Sequence, residues 1–368
     1  MNHLAFVFFW LSVTTIVPAD LPEAPKVVSA EPAPEWNERF RRTEGWVGAD
    51  GAYSVPLSDQ KWLWLFSDTF VGSIRDGKRT GVKMVNNTVG IQEGRADKAK
   101  LAFAIRKIEG QPKAMLAPPD GKGWFWLQAG IAIDSRLFVF LPRIEKAGSG
   151  GAFGFKHVEQ WLGTIANPDA DPSEWKTTYS KLPFAEFVAE RTVSFGSAVL
   201  RDGDFVYIYG YEEKPGKPFL ARKLLVARVP AGKLAEFDSW RFLGNGEWKS
   251  DVKDATPAAS GLATEYSVSY VPGLKKYAMV YTENGLGDRI VGRFAASPAG
   301  PWSEPLLLFR CPEMRANKKV FSYAAKAHPH LGGENDLVIT YCVNAFELGP
   351  VIDDATLYWP NFVRVKLK

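Results

Sequence analysis

Two aspartates, Asp50 and Asp68, bracket the segment DGAYSVPLSDQKWLWLFSDTF. Apolar, aromatic and β-branched runs on either side of the polar cluster at 58–60 read as a β-hairpin. Antiparallel pairing about Asp59 then sets Asp50 opposite Asp68. Side chains opposed in this way lie roughly 4.5–5.5 Å apart at Cβ, where like charges weaken a sheet. Such a pair suggests chemistry beyond folding, because two carboxyl groups in one place can divide general acid and general base work between them. The plainer alternative is a turn aspartate before Gly51 and an Asx-type cap before Thr69.

The elements that would position this pair recur along the chain. Four further hairpins are legible in WLQAGIAIDSRLFVFLPRI, FGSAVLRDGDFVYIYGYEE, TEYSVSYVPGLKKYAMVYTEN and AKAHPHLGGENDLVITYCVN. With the first, their turns centre near residues 59, 134, 202, 273 and 333. Additional strand-like runs, RKLLVARVP and DRIVGRFAAS, fall between them. Thirteen Trp, 12 Tyr and 24 Phe, with 33 Gly and 25 Pro, supply strand and turn formers throughout. Units of about 65 residues with four strands each predict an all-β chain, a five-bladed β-propeller with four-stranded antiparallel blades around a channel. A sandwich or a two-domain barrel is the alternative. Helical periodicity is nearly absent, with a turn or so of helix expected at 185–190 and 234–237.

Counting back from each turn by the distance that separates Asp50 from its own reaches Phe125 or Trp126 with Gln128 a little deeper, Ser194, Glu265, and Ala325 with Lys326 adjacent and His328 two residues further along. If the inner strands begin around one rim, these side chains converge on a funnel holding three carboxylates. Rim aromatics, Trp46, Tyr53, Trp126 and Tyr266, have apolar faces and polar edges suited to sugar rings, although core packing uses the same residue types. Asn86 and Asn87 in VNNTVGIQ are candidates for bonding hydroxyls from a third strand, or else form a turn.

Charge and composition narrow the function classes. The net charge of the 368-residue chain is +4 and its basic residues are scattered, without the concentrated stripe that nucleic-acid binding leaves. Cys311 and Cys342 have no zinc-ligand spacing; they either form one disulfide or remain separate buried thiols. The apolar run at 4–17 and the small-residue site Val17-Pro18-Ala19 read as an export signal over residues 1–19, with an uncleaved anchor as the alternative. Residues 20–44 read as an extended linker and 45–368 as the propeller domain. The expected location is secreted or periplasmic, with no other membrane segment. GSGGAFGF at 148–155 lacks the trailing Lys and helix of a phosphate loop and reads as a flexible loop.

In order along the chain, GWVGADGAYSVPL, WLFSDTF, VNNTVGIQ, FGSAVLRDGDFVYIYGY, LLVARVP, WRFLGNGEW, SPAGPW and AKAHP resemble a bacterial propeller family long known only as a domain of unknown function, which includes endo-D-arabinanases. The likeness covers about residues 45–367. More distantly the plan is similar to the five-bladed furanosidases of glycoside hydrolase family 43, whose inner-strand acids perform inverting hydrolysis. The resemblance implies a propeller acting on a polysaccharide or oligosaccharide, with an arabinofuranoside-type glycan among the candidates. In that chemistry Asp50 is expected as general base or nucleophile and Glu265 as general acid. Asp68 is expected to raise a partner's pKa or to be the second catalytic carboxylate. Trp46, Asn87, Gln128, Ser194, Tyr266, Lys326 and His328 are expected to bind substrate. The family 43 likeness also raises a central ion beside His328, but no metal or other cofactor is assigned. A monomer is expected. The alternatives are a non-catalytic carbohydrate-binding propeller and a protein-interaction propeller.

Overall fold

The computed structural model describes residues 21–95, 98–148, 153–214 and 222–368. The expected export signal lies outside the described residues. The chain is all-β, and among the described residues five sheets are antiparallel, most of their neighbouring strands following one another in sequence. The first sheet is Tyr53–Ser58, Lys61–Phe66, Thr88–Glu93 and Lys100–Ala104. The second is built on Gly130–Ile133, Arg136–Lys146, Phe155–Ile165 and Thr177–Lys181. Arg191–Asp202, Phe205–Glu213 and Lys223–Pro230 run through the third, and Tyr266–Val271 opens the fourth. The fifth orders Val320–Ala327, Asp336–Ala345, Pro360–Leu367 and, on its outer edge, Val27–Pro32.

Local chemistry accounts for these strands. Lys61–Phe66 is buried at every position after its lysine, the pattern of a strand covered on both faces. Between Ile133 and Arg136 the turn residues Asp134 and Ser135 have φ of 49° and 60°, the left-handed pair a tight hairpin demands. The first hairpin has the register read from the sequence: Tyr53 faces Leu65 and Val55 faces Leu63.

Three expectations are corrected. The expected tether over 20–44 holds regular structure in its described part, since Val27–Pro32 pairs with Pro360–Leu367 and Pro34–Phe40 is a helix burying Trp36 and Phe40. Residues 186–188 form a strand rather than helix, and 3-10 turns lie at Ala231–Lys233 and Phe237–Ser239. A separate three-stranded sheet, Glu44–Ala49, Thr69–Arg75 and Lys78–Val85, was not foreseen. Cys311 and Cys342 are buried free thiols. Among the described residues no helix is long and apolar enough to cross a membrane.

That extra sheet explains where the two aspartates sit. The chain from 44 to 75 forms one long hairpin whose halves belong to different sheets, and it changes sheets at Asp50 and Asp68. Asp50 N–H donates to Asp68 O at 3.3 Å and Ser67 N–H to Asp50 O at 3.0 Å, so pairing survives the change. The bend is made by Gly48, Gly51 and Ala52, with φ of 133°, 86° and 48°. A side chain at Gly48 would meet Tyr358 O at 2.6 Å.

Candidate functional site

A cavity of about 900 Å³ takes lining residues from all five of these sheets or the loops leading into them. Asp50, Ser67 and Asp68 come from the first hairpin, Trp126 and Gln128 from the approach to the second sheet, and Thr192 and Tyr211 from the third. Thr264 and Glu265 precede the fourth sheet, while Tyr323 and Ala324 lie in the fifth. All three carboxylates expected to converge therefore do so.

Their surroundings differ. Asp50 Oδ2 accepts the Tyr323 hydroxyl at 2.6 Å, while its buried Oδ1 has no hydrogen-bond partner. Burial, and then the charges of Asp68 and Glu265, push the Asp50 carboxyl up to about 8 against the opposing pull of the nearby Tyr323 and Tyr358 hydroxyls. Asp68 Oδ1 accepts from Trp126 Nε1 at 3.0 Å and Asn86 Nδ2 at 3.2 Å. Burial raises it to about 6 despite those donors. Glu265 is held by Lys326, whose Nζ lies 3.3 Å from Oε1, also donates to Ala324 O at 2.8 Å, and sits 4.3 Å from the Tyr53 ring centroid. Burial lowers the Lys326 pKa, opposed by the Glu265 charge.

Of the expected sugar-binding residues, Gln128 lines the cavity, half of a relay in which Ser194 donates to Gln160, Gln160 to Gln128, and Gln128 to Thr264 O. Ser194 itself is fully buried behind that relay and does not line the cavity. Trp46 is also core: its ring stacks on Phe103 at 4.0 Å, and its N–H donates to Thr88. Asn87 is a buried clamp, donating to Leu116 O and Phe125 O, each at 2.8 Å, so Asn86 is the asparagine that reaches the site. Tyr266 is buried and donates to Gly210 O. Lys326 lies beneath Glu265 rather than on the cavity wall. His328 is buried between Ser54 and Thr340, at 2.7 Å from each, and burial drives its pKa well below the usual imidazole value. It packs at 4.7 Å on Trp64, away from the cavity. Among the described residues no cluster of His, Cys, Asp and Glu suits a metal ion.

Sequence reasoning missed Tyr323, Tyr358 and His157, all on the cavity wall. Burial holds His157 at about 3, so it is a neutral imidazole there, packed 4.0 Å from the Phe187 ring. A strand irregularity positions Tyr323, and Tyr358 has a left-handed φ of 64°. Neither feature leaves a periodic trace in sequence.

A family model described as Domain of unknown function (DUF5005) matches residues 34–367. No curated protein matches the chain. Among solved structures, a protein from Bacteroides ovatus ATCC 8483, provisionally described as a hydrolase, superposes with a TM-score of 0.73 at 18% identity, over 91% of this chain and 90% of that one. The two share a fold. An α-L-arabinanase from Cellvibrio cellulosa gives a TM-score of 0.45 at 12% identity, over 87% of this chain and 91% of that one. A GH43_1 enzyme from Xanthomonas citri gives 0.44 at 13%, over 89% and 88%.

Proposed function

We propose, from the premise that the chain belongs to the DUF5005 family, that it is an exported glycoside hydrolase built as a five-bladed propeller, cleaving a neutral polysaccharide, an arabinofuranoside-type glycan among the candidates. The observation that carries this reading is the Asp50 and Asp68 pair at the bend of one hairpin, facing a cavity supplied by five sheets. With carboxyls raised to about 8 and about 6, the pair holds one proton between those values. Glycoside hydrolysis needs that state. One carboxylic acid gives its proton to the leaving oxygen as the C–O bond breaks, and one carboxylate either takes a proton from the attacking water or attacks the anomeric carbon. Asp50, whose buried Oδ1 has no hydrogen-bond partner, is the acid, and Asp68, steadied by donors from Trp126 and Asn86, is the carboxylate. This reverses the role expected of Asp50 and leaves Glu265 as an ion-paired wall group.

The bell-shaped pH profile follows with definite signs. Below about 6 Asp68 gains a proton and the base is lost, whereas above about 8 Asp50 loses its proton and the acid is lost. Hydrolysis plotted against pH is expected to peak near neutrality with limbs close to those values. A rate that climbs steadily from pH 5 to pH 9 would contradict the assignment.

Wall charge supports the choice of a neutral substrate. With Asp50 protonated, the described lining carboxylates Asp68, Glu213, Glu265 and Glu347 still outnumber the cations Lys146 and Arg222, and Arg222 already pairs with Glu213 at 2.9 Å. A polyanion entering here meets like charge. The test is sugar release from arabinan, arabinogalactan, xylan and polygalacturonate at pH 7. Cleavage of a neutral polymer but not of polygalacturonate is expected; no release from any, with glycan binding retained, would move the protein to the carbohydrate-binding alternative.

A further inference from the structure

The strand Val320–Ala327 slips its register against Asp336–Ala345 between Tyr323, which faces Cys342, and Lys326, which faces Thr340. Two residues, Ala324 and Ala325, thus stand opposite the single Tyr341, a bulge with one extra residue, and Ala324 within it has a left-handed φ of 59°. In a regular strand residues three apart point to opposite faces. The extra residue cancels that alternation and sends Tyr323 and Lys326 to the same side, where one reaches Asp50 and the other Glu265.

The hydrogen bonds at Tyr323 have a direction. Asn344 Nδ2 donates to the Tyr323 hydroxyl oxygen at 3.4 Å, and the amide nitrogen can only donate. The phenolic proton is therefore committed onward to Asp50 Oδ2, at 2.6 Å. A carboxylic acid whose Oδ2 already accepts keeps its own proton on the other oxygen, and Oδ1 is the atom without a partner.

Building on the hydrolase reading, we infer that Tyr323 is a positioning residue: relayed from Asn344 through the bulge, it fixes the Asp50 proton on Oδ1 for delivery to the leaving oxygen. It touches Asp50 rather than any reacting atom of the substrate.

Tyr323→Phe removes one oxygen and keeps the ring. The expected result is a ten- to hundredfold fall in kcat with KM within about twofold, and an alkaline limb displaced upward, because a carboxylate that loses a donor binds its proton more tightly. Asn344→Leu cuts the relay one step earlier and should give the same displacement in smaller measure, which keeps the test usable if Tyr323→Phe folds poorly. A readout without turnover separates the two readings. Carboxyl ¹³C NMR, with Asp50→Asn assigning the signal, should show Asp50 titrating at higher pH in Tyr323→Phe than in wild type. Unchanged titration and an unchanged limb would overturn the inference even in an active hydrolase. A displaced titration in a protein that hydrolyses no glycan would overturn the hydrolase reading and, with it, the delivery role, leaving only the contact.

Discussion

Asp50→Asn is expected to cut kcat for glycan hydrolysis about a thousandfold while glycan binding changes only a few-fold. The amide keeps the size of the carboxyl and still offers an oxygen to Tyr323, so the wall of the cavity is preserved. It cannot release a proton to the leaving oxygen. Asp68→Asn should cost as much, through loss of the base, and the double variant little more than either single one, because the two carboxyls act as a unit. Glu265→Gln touches no assigned proton and should cost about tenfold at most, through a Lys326 left without its charge partner. Product release and calorimetric binding, measured on the polymer that wild type cleaves, settle the matter. An Asp50→Asn enzyme within tenfold of wild type would remove Asp50 from the chemistry, and a larger loss in Glu265→Gln would restore Glu265 as the acid.

Gly196→Ala is expected to destabilise the fold by about 3 kcal/mol or more. Gly196 lies at a register irregularity between Phe195 and Ala198, with a φ of 105° that L side chains rarely adopt. A Cβ there would stand 2.3 Å from the ring of Phe140, which is wholly buried. Relief by moving the glycine backbone would strain the bond from Ala129 N–H to Gly196 O, 3.2 Å long, that ties the approach to the second sheet to the third. Both escapes are blocked. Urea unfolding should show a lower midpoint with an unchanged slope. A midpoint equal to that of wild type would mean that the second and third sheets slide past one another more freely than their packing indicates.

The hairpins and their register were legible because the signals that make them are local. Apolar runs such as KWLWLF and turn residues such as Asp134-Ser135 act over a few positions, and the pairing of Asp50 with Asp68 followed from the turn alone. What was not legible depends on partners far along the chain. Trp46 and Tyr266 looked like sugar platforms because aromatic type is the same in a rim and a core, and only packing on Phe103 or donation to Gly210 O decides between them. Counting back along a strand gave position but not face. Tyr323 was invisible to it because a bulge resets the alternation, and Ser194 and His328 were reached although they point into the interior. The segment VVSAEP carries no alternating pattern and ends in proline, which an edge strand tolerates and a central one does not.

That edge strand has a consequence for how the protein is made and lost. Val27–Pro32 holds its place through a ladder to Pro360–Leu367, reinforced by Lys26 N–H to Lys368 O and Ala33 N–H to Phe362 O. The fifth sheet is thus completed only when two strands more than 300 residues apart meet, a pairing whose long loop must close before its contacts reward it. Once closed, it acts as a latch. A protease that trims the chain before residue 26 removes nothing from the ladder, whereas one that cuts beyond Pro32 bares the backbone of Pro360–Leu367 along an entire edge. An edge so exposed is a template for the strand of another molecule, so the first step of degradation would also be the first step of aggregation.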